Sequence, residues 1–351
     1  MKSLALVTLS LVAIATAPIS TAQDRSTFTV GTAKAARGEK ATGVIEVPAG
    51  SDAALGIPVV VVHGAKAGPV IAIVAGAHGT EYASIIAVER LIDAIDPAAL
   101  SGTAVLLPLV NVPSFEKVVP HLNPVDGKNM NRFYPGRMDG TQTERASSLI
   151  TKQVVEQADH LIDMHGGDLD ESLRPYTYWT RTGREAQDRV SREMALAFGL
   201  SPIIISTDRP TDPNASRYLE NTATTRGKPS ITVEAGHAGT VEPEDVAALV
   251  TGTLSVMRFL KMLPGAPAMV DSPVWIEALA NVASEANGIF YPLVTRGTYV
   301  QKGMKIGRVT DYVGKPLADA RAPESGVVLY IRAVPSLTKS DTIASIGVVR
   351  R

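Results

Sequence analysis

The stretch Val70-Ile-Ala-Ile-Val-Ala75-Gly-Ala-His78-Gly-Thr-Glu81 decides how this chain folds. Pro69 to Ala75 is an unbroken apolar, β-branched run, as expected of a strand buried on both faces of a sheet. Beyond the glycines, Ile85, Val88, Leu91, Ile92 and Ile95 recur at helical spacing, so Thr80 to Ile95 reads as a helix with Thr80 near its start. A strand that enters a helix through a Gly turn is a unit of an α/β sheet, in which functional groups collect at strand ends and in the loops that follow.

Outward from this unit the alternation continues. Ile57 to Val62 is a second buried strand, joined to the first by a tight turn over His63 to Gly68. Val105 to Val110, Leu161 to Met164, Ile203 to Ile205 and Ile231 to Val233 are strand-like, while Thr143 to Gln157, Arg184 to Phe198 and Glu244 to Met262 are helix-like. The expected core is therefore a mixed α/β sheet with helices on both faces, preceded by a Thr/Lys/Gly-rich lead-in. Met262-Leu-Pro-Gly-Ala-Pro267 breaks the last helix and reads as a linker. Past it, short strands punctuated by Gly288, Gly297, Gly303, Gly307, Gly314, Gly326 and Gly347 predict a small all-β module. The expected division is a leader over 1–22, a catalytic α/β domain over 23–265 and a C-terminal β-domain over 266–351.

The 351 residues, 45% of them hydrophobic, suffice for one large core and a smaller one. The 34 basic residues nearly balance 35 acidic ones and form no basic run, which argues against nucleic acid and for a small or neutral partner. Lys2, the apolar run from Leu4 to Ala17 and the small residues Ser20-Thr-Ala22 read as a secretory signal peptide cleaved after Ala22. The run is short of the roughly 20 residues a spanning helix needs, so an exported protein, periplasmic or secreted and free of the membrane after cleavage, is expected. With no Cys, there are no disulfides, and a transition-metal site is limited to His and carboxylate ligands.

Three pieces offer such ligands and a base. His78 and Glu81, three apart on a first helical turn, can meet one ion from one side. Alone, the pattern also suits a turn histidine and a first-turn carboxylate favoured by the helix dipole. His165, in Leu161-Ile-Asp-Met-His165-Gly-Gly-Asp168, ends another strand and would complete a two-His, one-carboxylate set with a fourth zinc position open for chemistry. Asp163 and Asp168 are candidates to receive the imidazole N–H groups, or are solvated turn residues. Glu234, at the tip of Ile231-Thr-Val-Glu234, is placed to act as general base, with a pKa raised by partial burial. A fourth piece, Asn131-Arg132 in a polar loop, suits a bidentate grip on a substrate carboxylate, or else an Arg that ties down its own loop. His63 and His160 read as solvated or packed, as does His237, which could instead line the cleft.

Together these pieces resemble the zinc carboxypeptidase superfamily, in particular its succinylglutamate desuccinylase and aspartoacylase branch, from about Gly43 to the end of the chain. The resemblance implies one zinc per chain on His78, Glu81 and His165, Glu234 as general base, and Asn131 and Arg132, followed by Phe133-Tyr-Pro-Gly136, as a substrate clamp. It also implies that the C-terminal module is a biotinyl/lipoyl-type barrel-sandwich hybrid, although Lys315 lacks the flanks of a modified carrier lysine. Two positions depart from the pattern. His121 stands near the place of an Arg that polarises the scissile carbonyl, and could supply that hydrogen bond when protonated. Asn129 stands where an Asp often backs a zinc-bound His. The implied activity is hydrolysis of an amide beside a free carboxylate, foremost N-deacylation of an N-acyl amino acid. A metallocarboxypeptidase acting on short peptides and a non-catalytic exported binding protein are the alternatives.

Overall fold

The computed structural model describes residues 25–349, and the predicted leader over 1–22 lies outside the described residues. The lead-in, polar in sequence, forms β1 (Thr27–Val30), β2 (Ala33–Ala36) and β3 (Glu39–Val47). There follow β4 (Leu55–His63), β5 (Lys66–Ala75), α1 (Tyr82–Ala94), β6 (Ser101–Leu107) and α2 (Val112–Lys117). Next come α3 (Gln142–Ile150), continued by a π-helical turn over Thr151–Val155, then β7 (His160–His165), β8 (Glu171–Thr180) and α4 (Glu185–Phe198). β9 (Ile203–Ser206), α5 (Leu219–Thr225), β10 (Ser230–His237) and α6 (Pro243–Phe259) complete the alternating part.

The large sheet is mixed. β5, β6, β7 and β10 pair in parallel, whereas β3, β4 and β8 are antiparallel to their neighbours in that core. β4 and β5 are joined by a short turn but do not pair, because β6 lies between them. Successive side chains of a strand point to opposite faces. On β5, Ile71, Ile73 and Ala75 therefore enter one core with α1, α4 and α6, and Ala72 and Val74 enter another with α3 and α5. Both faces are covered by helices, as expected of buried parallel strands.

β8 is absent from the sequence expectation, and Pro175 explains why. A proline inside an apolar run removes a ladder donor and argues against a central strand. Here it falls where β8 changes neighbours: β17 pairs with it only over Glu171 to Leu173, and β9 takes over from Thr177. On its other side, the ladder to β10 is irregular between Glu234 and Gly236.

Past residue 265 the chain forms β11 (Trp275–Ile276), β12 (Leu279–Ala283), β13 (Gly288–Pro292), β14 (Tyr299–Val300), β15 (Lys305–Thr310), β16 (Pro316–Arg321), β17 (Gly326–Arg332), β18 (Ser336–Leu337) and β19 (Thr342–Val348). β17, β19 and β12 extend the large sheet beyond β8, and β16, β15, β13 and β18 form a separate four-stranded sheet. Phe290, Ile306, Val328 and Ile346, drawn from both sheets, close one small core. The C-terminal strands thus share a sheet with the α/β part of the chain.

Candidate metal centre

β5 ends at Ala75 and the chain turns at Gly76, whose φ of +71° and contact with Leu109 exclude a side chain. His78 sits in that turn. Glu81 is the residue capping α1, with φ −83° and ψ 63°, and not a member of its first helical turn. The pair meets through a turn closed by the Glu81 N–H donating to the His78 carbonyl at 3.3 Å. β7 lies beside β5 in parallel, with Ala75 opposite Met164, so His165 emerges at the same edge. Gly167 packs against the backbone of Gly236, where an added Cβ would sit 2.6 Å from the carbonyl carbon, and this draws the turn after β7 onto β10.

Glu81 joins the two imidazoles. Its Oε1 lies 2.6 Å from His78 Nδ1, and its Oε2 lies 2.9 Å from His165 Nδ1 and accepts the Gly166 N–H at 3.0 Å. One ligand atom from each of His78, Glu81 and His165 falls within 4.8 Å of the others, a donor set that could hold a metal ion. The far ring nitrogens are held as well. His78 Nε2 donates to Asn129 Oδ1 at 3.1 Å, so Asn129 occupies the supporting place without a charge. His165 Nε2 lies 3.2 Å from Asp163 Oδ1 and 3.1 Å from Asn131 Nδ2. With a metal on Nδ1, the ring proton belongs on Nε2, where Asp163 is the acceptor. Burial alone would raise the Glu81 carboxyl, but the two histidines hold it below the ordinary range. Burial alone would lower His165, but Asp163 and Glu81 hold it well above the usual imidazole value.

Glu234 lies one strand away, opposite His165 on the β7 side and Tyr176 on the β8 side. Burial pushes its carboxyl well above the usual carboxylate range; His165 opposes this, while Glu81, Glu171 and Asp163 add to it. Both residues open on a cleft of about 750 Å³, a size suited to a small molecule.

His121 lines the same cleft with its ring 5.9 Å from that of His78. Its backbone is left-handed, with φ 61°. Asp168 Oδ2 accepts its backbone N–H at 2.9 Å, and the ring nitrogens face Asp168 at 3.1 Å and Asp170 at 3.0 Å. Burial lowers the His121 pKa, but the bond to Asp170 and the charges of Asp168, Glu171 and Asp170 outweigh it and raise the pKa to about 9. The ring is an imidazolium at neutral pH with no N–H directed at the cleft. Asp168 bonds Thr80 Oγ1 and His121 and backs neither ligand imidazole, so of the two candidates only Asp163 touches one. Arg332 of β17 ion-pairs Asp170 at 3.3 Å, tying the C-terminal strands to this cluster.

Asn131 and Arg132 both line the cleft but differ in freedom. The Asn131 amide is committed, facing His165 and accepting the Leu219 N–H at 2.9 Å. Arg132 is exposed, bonds the Asn131 carbonyl at 2.7 Å and stacks over Tyr218 at 4.8 Å, with no carboxylate partner among the described residues. His63 is packed between Thr103 and the Arg25 carbonyl, and neither His160 nor His237 lines the cleft.

Other walls escaped the sequence reading: Tyr176, Tyr178 and Thr180 of β8, Glu220 and Asn221 of α5, and Tyr330 and Arg332 of β17. The alternation in Tyr176-Thr-Tyr178-Trp-Thr180 is a strand signal that could have found the first three.

Residues 67–260, which include every candidate ligand and Glu234, match the model of the succinylglutamate desuccinylase/aspartoacylase catalytic domain. The N-alpha-acetyl-L-2,4-diaminobutyric acid deacetylase of Halomonas elongata is 28% identical over 317 residues, covering 88% of this chain and 91% of that protein. The product-bound ectoine utilization protein EutE (DoeB) of Ruegeria pomeroyi superposes with a TM-score of 0.79 at 25% identity, over 88% of this chain and 95% of that one. A succinylglutamate desuccinylase/aspartoacylase from Rhodobacter sphaeroides shares the fold, with a TM-score of 0.79 at 24% identity over 89% and 96% of the two chains.

Proposed function

The chain belongs to the succinylglutamate desuccinylase/aspartoacylase family, and we propose that it is a zinc-dependent deacylase hydrolysing the amide of an N-acyl amino acid beside its free carboxylate. The observation that carries this reading is the single carboxylate of Glu81 set between His78 and His165, with Glu234 on the adjoining strand. Deacylation, and not peptide trimming, is favoured by the deacetylase relative.

A zinc ion on His78, Glu81 and His165 would polarise the scissile carbonyl as a Lewis acid and make water acidic enough to attack it. Glu234 takes the proton of the attacking water on its carboxylate and returns it to the departing amide nitrogen. A group that must hold a proton between those moments needs a pKa above that of a free carboxylate, which its burial supplies. His121, both nitrogens held by Asp168 and Asp170, makes no direct hydrogen bond to a substrate carbonyl and instead orders that wall of the cleft beside His78. Arg132 receives the substrate carboxylate, and Asn131 acts behind it by accepting the Leu219 N–H, which holds the loop that carries Arg132. The signal-like pattern in Met1 to Ala22 supports an exported enzyme, periplasmic or secreted.

The test is metal analysis of purified protein followed by an assay of N-acetyl amino acids against short peptides. Zinc near one per chain with hydrolysis of N-acetyl amino acids is expected. Metal-loaded protein that cleaved only peptides, or neither class, would overturn the reading.

A further inference from the structure

The end of the cleft away from the metal ligands has a different chemistry. Thr232 and Glu234 of β10 and Tyr176, Tyr178 and Thr180 of β8 face the cleft in alternation, so its floor runs along the strands. Glu234 and Ser230 are four residues apart, roughly 13 Å of strand. At the Ser230 end, Glu220 accepts hydrogen bonds from Thr180 Oγ1 at 3.0 Å and Ser230 Oγ at 3.3 Å. It is 5% exposed, and no ion pair to Lys or Arg reaches it among the described residues. Burial holds its carboxyl up at about 8, with Thr180 offsetting only part of the effect.

Asn221, next in the chain, is 4% exposed and also lines the cleft. Its Nδ2 donates to the Asp208 carbonyl at 2.6 Å, which fixes the amide orientation and leaves Oδ1 as a buried acceptor with no partner. A buried acceptor in that state calls for a donor from outside the protein. Asp208 adds an exposed carboxylate at the rim. Tyr218, on which Arg132 stacks, lies two residues before Glu220 and lines the same cleft.

We propose that Glu220, Asn221 and Asp208 form a specificity subsite for a distal ammonium, and that the substrate is an Nα-acyl amino acid with a long aminoalkyl side chain, of lysine length in preference to the shorter 2,4-diaminobutyrate. This rests on the deacylase reading. An ammonium brings three donors and one positive charge to the Asp208 carboxylate, the Asn221 amide oxygen and Glu220, whose ionised form that charge favours against burial, and the length of the floor favours the longer chain.

The experiment compares kcat/KM of the zinc-loaded enzyme for Nα-acetyl-L-lysine, Nα-acetyl-L-norleucine and Nα-acetyl-L-2,4-diaminobutyrate. Lysine should exceed norleucine by roughly 30-fold or more, the scale of a charged hydrogen bond lost at a buried site, and should exceed diaminobutyrate. Glu220→Gln should bring the lysine-to-norleucine ratio to within a few-fold of one, and Asp208→Asn, on the exposed rim, should lower it less. Norleucine hydrolysed as well as lysine overturns the subsite and leaves the deacylase reading standing. Failure to hydrolyse any of the three by enzyme that hydrolyses other N-acetyl amino acids overturns the subsite alone, and failure on every N-acetyl amino acid overturns both. A lysine preference unchanged in Glu220→Gln and in Asp208→Asn removes the assignment to these carboxylates, and diaminobutyrate ahead of lysine removes the length claim. Should Glu220→Gln not fold, the wild-type ratios and Asp208→Asn still decide.

Discussion

β7 carries a histidine at each end, and their surroundings drive them in opposite directions. His165, at the C-terminal end, sits between Glu81 and Asp163, and its pKa is held well above the ordinary value. His160, at the N-terminal end, has a buried Nδ1 with no partner; burial drives its pKa down to about 4, nearby Asp159 opposing this and Lys228 reinforcing it. Residue type and strand are the same. The C-terminal ends of β5, β7 and β10 point the same way and bring Glu81 from the turn after β5, Asp163 of β7 and Glu234 of β10 to one place. Parallel pairing thus makes one edge of the sheet polar and functional.

The comparison breaks most readily at the metal. His165→Ala should abolish zinc binding and lower turnover by about 10³-fold or more, because one of three protein ligands is lost. His160→Ala should leave zinc content and turnover in place, as measured by metal analysis and steady-state rates. Zinc retained in full by His165→Ala would refute the ligand assignment.

Glu234→Gln keeps the shape and loses the proton acceptor. Turnover should drop about 10²–10⁴-fold with zinc still bound, and a rate near wild type would move the base elsewhere.

The other end of β7 is probed by pH. The folded pKa of His160, about 4, lies below the usual imidazole value of about 6.5. The stability it contributes is complete above pH 6.5 and is lost as pH falls from there through 4, by up to roughly 3 kcal/mol. Denaturant unfolding between pH 7 and 4 should show this loss in wild type and a shallower one in His160→Gln. Identical slopes would show that His160 is solvated.

The smallest effect belongs to Arg132. Because Arg132 is exposed, replacing the substrate carboxylate by an amide should cost wild type about 1–2 kcal/mol of transition-state stabilisation, less than a buried arginine would. The same replacement should cost Arg132→Ala much less, and simple additivity of the two losses would show that Arg132 does not touch the carboxylate.

The parts of this site that were legible in sequence lie within a turn of a strand signal. His78, Glu81, His165 and Glu234 each follow or end an apolar run, and the order of the runs supplies the rest. Asp163 was half legible: two residues before His165 on a strand, it must share the face of that histidine, whereas Asp168 lies in the turn beyond, where no period applies. Asp170, Glu220 and Arg332 were not legible. Each is an ordinary charged residue in its own segment, brought to the cleft by α5 or by the pairing of β17 with β8. β8 itself was hidden by Pro175, whose missing donor matters only in a ladder position that it avoids.

The sequence by itself determined the α/β alternation, the chemical types available to a metal and the turns that carry them, because helix and strand periods are properties of a few consecutive residues. Only the tertiary structure decided which groups surround each of them: that His121 is held between two carboxylates, that Asn131 is spent on the Leu219 N–H, and that the C-terminal strands wall the cleft. Electrostatics and burial sum over neighbours from many segments, and those neighbours exist only once the sheet has closed its register.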